Sequence, residues 1–355
     1  MNSFGRLFRI SIFGESHGES VGVNIDGCPA GLYLPLQDFL PDLERRKGGL
    51  QKGTTPRKED DLPIFKSGLF RQTSTGAPIT ILFENNNTRS GDYEKQRAVP
   101  RPGHADFVAH QKFGGFEDYR GGGSFSARLT VGLVAAGVIA KKILDGISGE
   151  EGQTGKVQVT SSILEIGGEQ DPDKGLQKAI DAKDSIGGIV ECRVSGLPVG
   201  LGEPFWDSVE SLLAHAAFSI PAVKGVEFGA GFAAARMFGS QHNDAITDMQ
   251  GHTRTNHAGG IVGGITNGNE LVFRIAIKPT SSTPKEQQTL NWETGQQDNF
   301  SVKGRHDLCV ALRAPVILEA VTAIVLADLL LLQQGVRRIW PVHPGEAAGE
   351  LPTGL

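Results

Sequence analysis

Gly121-Gly122-Gly123-Ser124-Phe125-Ser126-Ala127-Arg128 opens a run of small residues that continues without proline to Leu144. Leu129, Leu133, Ala136, Gly137 and Ala140 recur at helical spacing, which predicts a helix over about 124–144. Its small-residue face lets another element pack closely on it. Three glycines ahead of a helix start allow backbone N–H groups to approach an anion, and the helix dipole favours negative charge there. Just upstream, Arg101-Pro102-Gly103-His104-Ala105-Asp106 places a histidine after a rigid Pro-Gly turn. Arg101 and Arg128 add charge-assisted bonds suited to phosphate or carboxylate. The segment reads as the floor of a phosphate-handling site with His104 at its edge.

Strand-like alternation appears around this helix. Residues 7–13 and 21–25 read as strands, as do 64–65 and 79–83. Residues 36–47 read as a helix ending in Arg45-Arg46-Lys47. The second half repeats the style, with strands at 157–166, 189–194, 261–265 and 271–277, a helix at 209–217 and a final apolar helix. Strands and helices in runs, without strict βαβ alternation, predict an α+β fold with antiparallel sheet. The Gly/Glu-rich segment 149–155 is the candidate boundary between two similar halves of one domain.

Composition narrows the function. Hydrophobic residues make up 39% of the 355, enough for a packed core. A net charge of −5 argues against a general nucleic-acid or membrane-surface role. Cys28, Cys192 and Cys309 form no CxxC pair, and read as reduced thiols of a cytosolic protein. No apolar signal region follows Met1. The apolar run 315–332 is interrupted by Glu319 and Asp328, so it reads as a buried helix rather than a membrane span. A dinucleotide fingerprint, a P-loop and an HExxH motif are all missing. No metal site is expected.

One chemistry recurs at separate places. His17 lies in Gly14-Glu15-Ser16-His17-Gly18, and His104 and His306 lie in comparable turns beside an arginine or aspartate. Arg46, Arg101, Arg128 and Arg305 lie near those turns. The basic Gly/Thr-rich loop at 48–56, with Lys52, Arg57 and Lys58, reads as a lid over an anionic ligand. Histidines exchange protons near neutral pH, and arginines hold phosphate. The residues alone indicate a phosphate-handling enzyme with histidine acid–base groups. A histidine phosphotransferase shares that chemistry.

Seven motifs, in order, resemble the chorismate synthase family. They are Gly14-Glu15-Ser16-His17-Gly18, Asp42-Leu43-Glu44-Arg45-Arg46, Arg101-Pro102-Gly103-His104-Ala105-Asp106, and Tyr119-Arg120-Gly121-Gly122-Gly123 with Ser126-Ala127-Arg128. Asn256-His257-Ala258-Gly259-Gly260-Ile261, Lys278-Pro279-Thr280-Ser281-Ser282 and Gly304-Arg305-His306-Asp307 complete the set. The resemblance implies an α+β sandwich with antiparallel sheets in the core and helices outside, assembled as a homotetramer in the cytoplasm. It implies a lyase that converts 5-enolpyruvylshikimate 3-phosphate to chorismate and phosphate with reduced FMN, NADPH serving at most as an indirect reductant. A homologue that binds flavin or phosphate without turnover is the alternative.

By the same resemblance, His17 is the proton partner of the flavin, His104 the general acid at the leaving phosphate, and Asp307 the proton relay. Ser16, Arg46, Lys52, Arg101, Arg128 and Arg305 hold the substrate. Ser124, Phe125, Ser126, Pro221, Ala222, Gly263, Lys278, Pro279, Thr280, Ser281, Ser282 and again Arg305 contact the flavin. The chain departs from the common family pattern at Ser124-Phe125, where Arg-Ser is usual, and at Lys52, Pro221 and Leu308.

Overall fold

A computed structural model of the chain describes residues 2–49, 52–57, 59–88, 97–147, 156–302 and 306–335. Alternating apolar residues build a first antiparallel sheet from β1 (Ser3–Phe4), β2 (Arg9–Gly14), β3 (Ser20–Asp26), β4 (Ile64–Ser67) and β7 (Ile79–Glu84), in the order β1-β2-β3-β7-β4. A small hairpin, β5 (Leu69–Phe70) with β6 (Thr73–Ser74), lies between β4 and β7 in sequence. Val23 pairs with both Ile12 and Ile81, so Val21, Val23, Ile25, Ile79, Ile81 and Phe83 share one fully buried face.

The second antiparallel sheet has the order β10-β13-β9-β8, from β8 (Gln158–Ile166), β9 (Gly188–Ser195), β10 (Val223–Phe228) and β13 (Leu271–Ile277). Two hairpins, β11 (Ile261–Val262) with β12 (Ile265–Thr266) and β14 (Gln287–Asn291) with β15 (Gln296–Phe300), lie outside it. The helices are α1 (Leu40–Arg46), α2 (Asp106–Phe113), α3 (Thr130–Ile147), α4 (Pro172–Ala182), α5 (Val209–Phe218), α6 (Gly239–His242) and α7 (Ala314–Gly335).

The α+β class with antiparallel sheets stands, but the layer order differs from the expectation. Helix α3 packs on β2, β3 and β7, α7 packs on β8 and β9, and the two helices pack on each other. They therefore lie between the sheets rather than outside. A Cβ on Gly137 would fall 2.4 Å from the Ala320 Cβ, so only glycine permits this approach. Helix α7 is apolar on every side, and such a helix must be enclosed. Residues 316–330 are all buried, and the span-length apolar window of α7 is 83% buried within the protein.

The two acids that interrupt α7 are anchors. Glu319 accepts two bonds from Arg45 at 2.7 Å, one from Lys141 at 3.1 Å and one from the Ser161 N–H at 3.0 Å. Asp328 accepts the backbone N–H groups of Arg6, Leu7 and Phe8 at 2.9, 2.7 and 2.9 Å, tying the N-terminal turn to the core helix. Asp328→Ala should lower the unfolding free energy by about 2–4 kcal/mol, because three amides lose a charged acceptor. Chemical denaturation measures this, and an unchanged midpoint would show that the turn is held by packing alone.

Several boundaries move. The predicted helix over 124–144 becomes a 3₁₀ turn at Ala127–Leu129 followed by α3, because the glycines ahead of it adopt left-handed angles. The helix over 36–47 is a 3₁₀ turn at Leu36–Asp38 followed by α1. Residues 261–265 are two short strands around a Gly263-Gly264 turn, not one. Segment 149–155 lies outside the described residues.

Candidate active site

The glycine turn is built to seat two histidines. Gly121, Gly122 and Gly123 have φ of 60°, 84° and 51°, a left-handed path that suits glycine. A Cβ on Gly121 would lie 2.3 Å from the His17 ring, and one on Gly122 would lie 2.9 Å from Cε1 of His104. The Ser16 N–H donates to the Gly123 carbonyl at 3.1 Å, joining the β2–β3 loop to the same turn. Ser126 then caps the next turn, its Oγ accepting the Arg128 N–H at 3.2 Å.

His104 belongs to a tight charged cluster. Its Nδ1 is 2.5 Å from Asp106 Oδ1, and Arg101 clamps Asp106 through Nε at 2.8 Å and Nη2 at 2.7 Å. Burial pushes the Asp106 carboxyl up, but hydrogen bonds from Arg101 and His104 outweigh it and hold the group well below the usual carboxylate range. An ionised Asp106 on Nδ1 fixes the tautomer and leaves Nε2 for a ligand. Ser281 Oγ donates to the Gly103 carbonyl at 2.7 Å, and Arg101 Nη1 reaches Ser282 Oγ at 3.4 Å. The Lys278–Ser282 segment thus abuts the His104 turn.

These elements wall a cavity of about 1000 Å³, the upper range for small-molecule sites. Among the described residues, nine cationic side chains line it (Arg46, Lys47, Arg57, Arg101, Lys112, Arg128, Lys224, Lys278, Arg313) against the carboxylates Glu59, Asp61 and Asp307. The excess suits a multiply charged anion.

Of the residues singled out in the sequence, Ser16, Arg46, Arg101, His104, Ser124, Phe125, Ser126 and Arg128 line this cavity, as do Pro221, Ala222, Lys278, Thr280, Ser281, Ser282 and Asp307. His17 sits behind Gly121, 7% exposed. Lys52 instead donates to Gln177 at 3.2 Å at the surface, Gly263 forms the β11–β12 turn, and the Pro279 carbonyl accepts from Lys278 at 3.2 Å. Arg305 lies outside the described residues, as does Lys58.

The structure adds wall residues that the sequence reading passed over as site members. Arg57 donates to Ser16 Oγ at 3.1 Å and to the Ser16 carbonyl at 3.2 Å. Arg313 donates to Asp307 Oδ2 at 3.1 Å, and the Thr55 N–H donates to Oδ1 at 2.8 Å. The described part of the basic loop is thereby strapped to the Asp307 turn instead of standing off it. The charge run was the available signal for Arg57; Arg313, alone at the start of an apolar helix, gave none.

Burial, reinforced by the Arg57 and Arg120 charges, lowers the His17 pKa to about 4 against the opposing pull of Asp118 and Glu59. Burial, with Arg101 and His104, lowers His306 likewise to about 4. Both rings are neutral at pH 7. In the unfolded chain they titrate near 6.5, so acid favours unfolding: the stability they contribute is full above about pH 6.5 and is lost as pH falls toward 4. His17→Gln should flatten the drop in Tm across that window. An identical drop in both proteins would contradict a buried neutral His17.

Known proteins resemble the chain over nearly its whole length. The sequence profile of the chorismate synthase family matches residues 8–331. A chorismate synthase from Chitinophaga pinensis is 70% identical over 341 residues, covering 96% of this chain and 99% of the relative. One from Dehalococcoides mccartyi is 47% identical over 351 residues, covering 93% and 96%. A crystal structure of chorismate synthase superposes with a TM-score of 0.69 at 26% identity, covering 93% of each chain.

Proposed function

The chain belongs to the chorismate synthase family of lyases, and from that premise we propose that it eliminates phosphate from 5-enolpyruvylshikimate 3-phosphate in the 1,4-anti sense to give chorismate. Its strongest support is the His104–Asp106 pair at the edge of a cavity lined by cations. Expelling phosphate needs positive charge and a proton donor at the departing oxygens. Arg101 and Arg128 supply the charge and bracket the glycine turn. His104, with its Nδ1–H committed to Asp106, presents Nε2 to the leaving oxygen and acts as general acid from its imidazolium form, giving up the Nε2 proton as the C–O bond breaks. Asp307, held between the Thr55 amide and Arg313, keeps a carboxylate on the cavity wall for the ring proton. His17 keeps a neutral imidazole against the same turn as a further proton carrier.

The wall also fits reduced FMN. Phe125, Leu133, Ile220, Pro221, Ala222 and Val223 offer an apolar surface for a flat ring system. Lys278, whose Nζ donates to Ser281 Oγ at 2.8 Å, and the hydroxyls of Thr280 and Ser282 offer polar groups for an anionic tail. When bound, reduced FMN would lend an electron to the allylic system only transiently, since the elimination is redox-neutral overall. In this reading the flavin arrives reduced, with NADPH as an indirect reductant, and repeating the assay with NADPH and oxidised FMN decides whether the protein reduces the flavin itself. A cytoplasmic homotetramer is part of this reading, and the free buried Cys28, Cys192 and Cys309 agree with a reducing compartment.

The test is anaerobic. Purified protein, the phosphorylated substrate and chemically reduced FMN are mixed, and diene absorbance and phosphate release are followed together. Equal yields of diene and phosphate are expected. Phosphate without diene would make the protein a phosphatase or transferase, and FMN binding without either product would make it a binding homologue.

A further inference from the structure

Beneath the glycine turn, one carboxylate holds two guanidinium groups. Asp61 Oδ2 accepts from Arg46 Nη1 at 3.0 Å, and Oδ1 accepts a short bond from Arg128 Nη1. All three side chains are almost completely buried, with 2%, 4% and 1% of the Arg46, Arg128 and Asp61 side chains exposed. The two arginines differ in what remains to them. Arg46 uses four of its five N–H groups within the protein, on Asp61, the Thr130 hydroxyl and the carbonyls of Ala127 and Arg128. Among the described residues Arg128 uses three, on Asp61, Asn85 and the Glu84 carbonyl, and two N–H groups remain on a side chain that lines the cavity.

We propose that Asp61 is a positioning residue for anion binding, aiming the remaining N–H groups of Arg128 into the cavity while Arg46 serves as the frame that locks the peptide carrying Arg128. Three features place it there. The Arg46 guanidinium bonds to the backbone of residue 128 itself, so the frame acts on the residue being aimed. Asp61 has φ of 49°, a left-handed angle that aspartate tolerates better than most residues and that turns its carboxylate inward. Its neighbour Glu59 is fixed independently, accepting from Arg57 Nε at 2.8 Å and from the Asn86 N–H at 2.9 Å.

Charge and position make opposite predictions. If Asp61 merely offset the charge of two arginines, removing its charge would make the cavity more positive and bind anions more tightly. If it positions Arg128, the same change weakens anions despite the gain in positive charge. The proposal rests on the lyase reading only in taking this wall as the anion side of the site.

The probe is inorganic phosphate, titrated calorimetrically into the full-length protein, with FMN titrated separately. Asp61→Asn should raise the phosphate Kd by about 10-fold or more, the equivalent of one lost charged hydrogen bond, and leave FMN affinity nearly unchanged. A purely structural role would damage both ligands together. Asp61→Glu keeps the charge, and so the fold, but displaces the carboxylate by one methylene. It should also weaken phosphate, by several-fold. Phosphate bound as well or better by folded Asp61→Asn overturns the proposal. Where that variant does not fold, unchanged phosphate affinity in Asp61→Glu overturns it. Failure of the wild type to form diene would sink the lyase reading and leave this comparison standing.

Discussion

Replacing His104 with alanine is expected to lower kcat by on the order of 10²–10⁴-fold, the usual worth of a general acid, while FMN affinity stays nearly constant. The asymmetry follows from geometry. Asp106 and Arg101 form a bonded pair without His104, through Arg101 Nε and Nη2, so the cluster should survive the truncation. What disappears is the ring whose Nδ1 is committed at 2.5 Å to Asp106 and whose other nitrogen is left for the leaving group. Single-turnover kinetics separate the two effects. A kcat within a few-fold of wild type would remove His104 from the chemistry. A large rise in FMN Kd would instead make it a binding residue.

The second large effect concerns a residue with no chemistry of its own. Gly121→Ala should lower kcat/KM by on the order of 10²-fold, the loss that follows when a reacting group is misplaced by about 1 Å. A methyl group at Gly121 would lie 2.3 Å from His17 and 3.1 Å from Ser16 Oγ, and the backbone there has φ of +60°. His17, the Ser16 loop or the turn itself must move, and Arg57 holds Ser16 from the other side. The variant should also show a lower Tm, because alanine is strained at positive φ. Wild-type kcat/KM in Gly121→Ala would mean that the His17 contact has no bearing on the reaction.

Much of this architecture is legible in the sequence because it is local. The helical recurrence of Leu133, Ala136 and Ala140 marks α3, and the alternation of Val21, Val23 and Ile25 marks β3. The recurrence of glycine-flanked histidines beside arginine or aspartate points to His104 and its partners. What the sequence hides is long-range. Which layer a helix occupies depends on what covers both of its faces, and α7 met its covers, α3 and the second sheet, only in three dimensions. The Gly-rich residues around Gly263 look like a ligand loop, yet they close a hairpin. Lys52 lies in a basic run that suggests a lid, yet its amine bonds Gln177 at the surface. Helix α2 is hard to read in the sequence because its eight residues carry almost no amphipathic signal, and Asp106 in its first turn belongs to the histidine motif that precedes it. Nothing in the sequence separates Asp61 from its acidic neighbours Glu59 and Asp60, whereas the fold buries it between two arginines.

The arrangement of charges also accounts for how so many cations coexist at one site. Arg46 and Arg128 share Asp61, Arg57 has Glu59, Arg101 has Asp106 and Arg313 has Asp307. Each pairing offsets the desolvation of a buried charge while leaving donors free on some members. A cavity built this way is held open and positive in advance, so little reorganisation is needed when an anion enters.

The most direct measurement is the crystal structure of the protein with 5-enolpyruvylshikimate 3-phosphate and FMN bound. The account predicts the substrate phosphate within hydrogen-bond distance, about 3 Å, of His104 Nε2 and of an arginine flanking the glycine turn. The flavin should lie along the Lys278–Ser282 side of the same cavity. A phosphate seated away from His104, or a flavin occupying the Arg101–Arg128 wall in its place, would contradict it.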